Sequence, residues 1–78
     1  MQITAEMLVE FLKDGMNIDQ PVAPDTELFS TGLLDSVELI SLIAFVEQNA
    51  MINVRPAEVT LDNFDTVARI IDYVAARI

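Results

Sequence analysis

An all-α fold is predicted for this chain: a small four-helix bundle of three principal helices and one short one, with a long first loop. Three observations predict it. Apolar residues recur at helical spacing in three separate stretches, each preceded by a residue able to cap a helix. No stretch alternates apolar and polar residues as a half-buried strand would. Of the 78 residues, 53% are apolar, enough for one core and no more. Residues 1–78 are therefore expected to form a single domain.

The first helix is expected over about Ala5 to Asp14, with Thr4 as its cap and Ile3, Met7, Leu8, Phe11 and Leu12 as its stripe. Gly15 and Asn17 are suited to ending it, since either takes a left-handed conformation readily. From Met16 to Thr31, Pro21, Pro24 and several turn formers make a long connection. A loop of that length in a small domain needs anchoring, and Ile18, Val22, Leu28 and Phe29 are the side chains to tuck it onto the core. Leu28-Phe29 suits a short helical turn.

The second helix is expected from Ser36 to Asn49. Asp35 and Glu38 stand three apart, as in a capping box. At about 100° per residue, Leu39, Leu42, Ile43 and Val46 share one arc and are the expected core side. Val37, Glu38, Ser41, Ala44, Phe45 and Gln48 share the other, which is oddly apolar for a solvated face. Either Phe45 or Val37 packs under a neighbouring element, or this face meets a partner.

Met51, Ile52 and Val54 then read as an extended, core-anchored segment. Arg55-Pro56 opens a short helical turn to Glu58, with proline at the first helical position. Thr60 to Phe64 is expected to be a further connection. Asp65 is the expected cap of the last helix, Thr66 to about Arg77, with Val67, Ile70, Ile71, Val74 and Ile78 as its stripe and Phe64 placed for a hydrophobic staple.

Composition removes several functions. Thirteen acids against four bases give a formal charge of −9, which argues against nucleic acid and against anionic membrane surfaces. The same charge either keeps an apolar small protein soluble or steers it to basic partners. No apolar run is long enough to span a bilayer, residues Met1 to Glu6 lack the basic and apolar regions expected of a signal peptide, and there is no cysteine. A cytoplasmic monomer is the expectation. With neither His nor Cys, there can be no Ser-His-Asp triad, Cys-His pair or usual zinc site, so no enzyme and no metal centre are expected. Asp62, Asn63 and Asp65 lack the spacing and glycine of a calcium loop and read as a solvated acidic turn.

Ser36 is the candidate site. Behind the Asp35 cap it falls in the first helical turn, where N–H groups are unpaired and the helix dipole favours negative charge. A serine there is ordinarily just a helix-start residue, and nothing in the chain activates its oxygen as a nucleophile. Any chemistry at Ser36 must be supplied by another protein, which points to modification.

Gly32-Leu33-Leu34-Asp35-Ser36, the preceding Leu28-Phe29, an apolar helix ending in Glu47, and Asn63-Phe64-Asp65-Thr66-Val67 together resemble the acyl and peptidyl carrier proteins. The match extends over nearly the whole chain. The resemblance implies that Ser36 receives 4′-phosphopantetheine from a phosphopantetheinyl transferase. It also implies that an adenylating acyl or aminoacyl ligase loads the arm, and that downstream acyl- or peptidyl-transferring enzymes of secondary metabolism unload it. Fatty-acid carriers usually place an acid five residues after the serine, where this chain has Ser41, and a glycine three before it, whereas Gly32 is four before. The Gly-Leu-Leu-Asp-Ser spelling is more similar to D-alanyl and free-standing aminoacyl carriers. A mixed partner face is expected, with Asp35, Glu38 and Glu47 as charges and Val37, Ser41, Ala44 and Phe45 beside them. The alternatives are a carrier of polyketide or fatty-acyl intermediates, or a small helical interaction module whose Ser36 is never modified.

Overall fold

A computed structural model describes residues 3–15, 18 and 20–77, and all regular structure among them is helical. Helix α1 spans Ala5–Glu10 and runs on as a π-helical stretch, Phe11–Gly15. Thr4 caps it as expected, its Oγ1 accepting the Met7 N–H at 3.2 Å. The widened last turn departs from the single helix predicted. It goes with Gly15, where an added Cβ would lie 3.1 Å from the Phe11 ring. Asn17 as a terminator, and Ile78 in the last stripe, lie outside the described residues.

Helix α2 spans Ser36–Ala50, α3 Leu61–Phe64 and α4 Val67–Arg77, with a 3-10 turn at Pro56–Glu58. Helix α1 packs on α4, and α3 on α4. The core is built from Leu8 and Leu12, Leu42 and Val46 of α2, Phe64, and Val67 and Ile70 of α4, with Leu28 and Leu34 of the loop sealed among them. The long loop is thus an inner wall of the fold, although of its four expected anchors only Val22 and Leu28 are buried and Ile18 and Phe29 are half-buried.

Three expectations are corrected. In α2 the buried row is Leu42, Val46 and Ala50, one side chain per turn, while Leu39 and Ile43 are only half-buried. Leu42 and Val46 of the expected arc are in that row, but the dense apolar run from Val37 to Val46 kept periodicity from narrowing the arc further. Second, residues 61–64 form helix α3 rather than a connection, and Asp65 does not cap α4. That cap is Thr66, whose Oγ1 accepts the Arg69 N–H at 3.0 Å. Third, Met51 is not core-anchored. It is 79% exposed and closes α2 in the left-handed conformation, φ 58°. Ile52 and Val54 do pack against the core, with the Val54 N–H donating to Glu47 Oε2 at 2.9 Å.

Candidate functional site

Ser36 is the first residue of α2 and is exposed. The capping box before it is complete: Asp35 Oδ1 accepts the Glu38 N–H at 2.9 Å, and Glu38 Oε1 accepts the Asp35 N–H at 3.0 Å. The N–H groups of Ser36 and Val37 precede the first intrahelical donor, the Leu39 N–H, which bonds the Asp35 carbonyl at 3.0 Å, so the hydroxyl stands among unpaired donors at the positive end of a 15-residue helix.

What aims this helix start is the loop, and what fixes the loop is Asp65. That carboxylate is 1% exposed. Its Oδ1 accepts the Phe29 N–H at 2.8 Å and the Ser30 N–H at 3.0 Å, and its Oδ2 accepts the Ser30 hydroxyl at 2.6 Å. The Asp65 carbonyl takes the Leu28 N–H as well, at 2.6 Å. One residue thereby holds three consecutive loop residues. From there the chain turns back through Gly32 (φ 78°), and Leu34 N–H donates to Leu28 O at 2.8 Å, one residue before Asp35. The αL conformation at Gly32 is the reason for a glycine there. Burial acts to raise the Asp65 pKa, but the Ser30 hydroxyl, the two loop N–H groups and the Arg69 charge outweigh it and hold the carboxyl below its ordinary value.

The remaining predicted site residues fall in two groups. Val37, Ser41 and Ala44 are exposed on α2 near Ser36, with Val37 69% exposed, and Glu38 and Glu47 are half-buried because each holds a backbone N–H. Phe45 is turned the other way. It is half-buried and stacks on Phe11, with ring centroids 4.2 Å apart and planes 20° from parallel. The neighbouring-element explanation therefore accounts for Phe45 and not for Val37. Sequence reasoning missed Ile40, 68% exposed, and Met51, which extend the open apolar strip along α2. The spacing of Val37, Ile40, Ala44 and Met51, at helical intervals, was the available signal. It missed Asp65 as well: a carboxylate between Phe64 and Thr66 reads as a cap, and nothing local reveals a partner 35 residues away.

Among the described residues no three acidic side chains converge as a metal site, and no helix is long and apolar enough to cross a membrane. Asp62 is exposed, the Asn63 side-chain amide donates to the Glu58 carbonyl, and Asp65 faces the loop. No protein-family model matches the chain, and no curated protein matches it either.

Proposed function

We propose that this chain is a carrier protein, a four-helix bundle carrying 4′-phosphopantetheine on Ser36 and holding an aminoacyl or small acyl group for biosynthetic enzymes of secondary metabolism. The observation that carries the reading is an exposed serine hydroxyl at the first position of a long, doubly capped helix. The residues there suit the group. The free N–H groups of the first turn favour a phosphodiester. The Asp35 and Glu38 carboxylates each already accept a backbone N–H and so hold the helix start in place around that position. When bound, the group supplies a thiol on a long flexible arm, which explains how a chain without cysteine serves thioester chemistry.

The chain's own residues supply position and recognition. Asp35 and Glu38 fix the helix start, and Asp65 fixes the loop behind it. Val37, Ile40 and Ala44 offer an apolar strip, edged by Ser41 and Glu47, to a transferase, an adenylating ligase or a downstream transferring enzyme. Incubation with coenzyme A and a broad-specificity phosphopantetheinyl transferase, followed by intact mass, tests the proposal. One phosphopantetheine should be gained, and none by Ser36→Ala. No gain by a folded chain would favour the second reading, a helical interaction module that uses the Val37, Ile40 and Met51 strip without any modification.

A further inference from the structure

A second feature lies away from Ser36. A pocket of about 390 Å³ opens between the end of the first helical stretch and α2, lined by Met7, Glu10, Phe11, Asp14, Gly15 and Phe45. Its floor is apolar: the stacked rings of Phe11 and Phe45, the Met7 side chain, and Gly15, which the Phe11 ring keeps bare. Its rim is acidic. Glu10 and Asp14 are both exposed, four residues apart, and the ion pair found among the described residues involves neither of them. Like charges at that spacing repel.

We propose that this pocket receives an arginine side chain from a basic protein partner. The chemistry of floor and rim selects the occupant. An apolar side chain would leave the two carboxylates unused, and an inorganic cation would leave the aromatic floor unused. Arginine satisfies both: its methylene stem covers the apolar floor, while its planar fork reaches two carboxylates and stacks on aromatic rings. The chain's charge of −9 draws such a partner in before contact. Phe45 stands nine residues beyond Ser36, about 13 Å along the helix axis. A partner engaging the start of α2 thus has a second hold on the same molecule. The inference is independent of whether Ser36 is modified.

The test uses the unmodified full chain with ¹³C-labelled Met methyl and Phe ring groups. It is titrated with a capped Gly-Gly-Arg-Gly-Gly peptide, and with the same peptide carrying citrulline or norleucine instead. The arginine peptide should shift the Met7 methyl and the Phe11 and Phe45 ring signals saturably. Citrulline, the uncharged isostere, should bind about tenfold more weakly, as should the arginine peptide to an E10Q/D14N double variant. An E27Q/D25N variant, with the same loss of charge elsewhere, should bind like the parent. Equal shifts with citrulline or norleucine would overturn the proposal by making the pocket merely apolar. An equal loss in E27Q/D25N would overturn it by making the attraction diffuse. Self-association of the chain that moves the same signals and disappears in Arg55→Gln would overturn it by assigning the pocket to a second copy.

Discussion

Asp65 does for the loop what Asp35 does for α2: a single carboxylate gathers backbone N–H groups that would otherwise be unpaired. The difference is burial, and burial sets the energetic scale. Replacing Asp65 by Ala leaves the Phe29 and Ser30 donors without their acceptor in a region largely closed to water. The expected loss is about 1–3 kcal/mol of stability, read by urea denaturation. Amide exchange should speed up first at Phe29 and Ser30, whose N–H groups the carboxylate holds, and in the rest of residues 28–34 before it does so in α4. The charge adds a pH signature. Because the folded-state pKa of Asp65 is lowered, its contribution is fully present above the unfolded-state value of about 3.9 and is lost as pH falls through the lower folded value. The stability gap between the parent and Asp65→Ala should therefore narrow as urea melts are moved from neutral pH to below pH ~3. A gap constant across that range would mean that the hydrogen bonds act without help from the charge.

At the scale of elements, α2 is the informative case, because it serves the core and the surface with the same residue types. Its cap was legible from Asp35 and Glu38, since a capping box is a local device written into four consecutive residues. Its buried row was legible in part: Leu42 and Val46 fall on the expected core arc and are fully buried, whereas Leu39 and Ile43 of the same arc are only half-buried and Ala50 completes the row. Its end was legible to within one residue, Asn49 against Ala50, but the left-handed closing residue was not, because Met51 takes φ 58° where glycine is the usual choice. Met51→Gly should relieve that strain and stabilise the fold by up to about 1 kcal/mol, measured by thermal or urea melts. A destabilised glycine variant would mean that the exposed thioether makes a packing contribution larger than the backbone strain.

The other end of the chain is tied by a polar cluster. Glu58 accepts the Tyr73 hydroxyl at 2.9 Å and the Arg77 guanidinium at 2.9 Å, and Arg77 also donates to the Asn53 carbonyl at 2.8 Å. Burial, then the hydrogen bond to Glu58 and its negative charge, raise the Tyr73 pKa. Since this is the chain's one tyrosine, a spectrophotometric titration reads it directly, and its midpoint should lie above the ordinary phenol value of about 10. The sign follows: the contribution is full below the unfolded-state pKa and disappears as pH rises through the folded one. Glu58→Gln should lower the midpoint, and an unmoved midpoint would leave burial as the whole cause.

For the whole molecule, the fold class was legible because three amphipathic stretches and one long apolar loop admit few compact solutions for 78 residues. The loop's attachment was less so, because Asp65 and Ser30 meet only in three dimensions. Charge is the remaining global property, and it acts in two opposite directions. A formal −9 on a body of 31 × 24 × 20 Å puts many like charges within a few Debye lengths of one another at low salt. Self-repulsion then destabilises the compact state, while the same field speeds encounter with a basic partner. Adding NaCl from about 0.02 to 0.5 M should screen both. The melting temperature of the free chain should rise, and under the proposed carrier function the rate of Ser36 modification by a basic transferase should fall. Repeating the melts near pH 4, where carboxylates are partly protonated, should shrink the salt effect on stability, because the repulsion it screens is smaller. A melting temperature that instead falls with NaCl at neutral pH would place the balance with attractive contacts such as Glu58–Arg77, and the net charge would then have no part in limiting the stability of the fold.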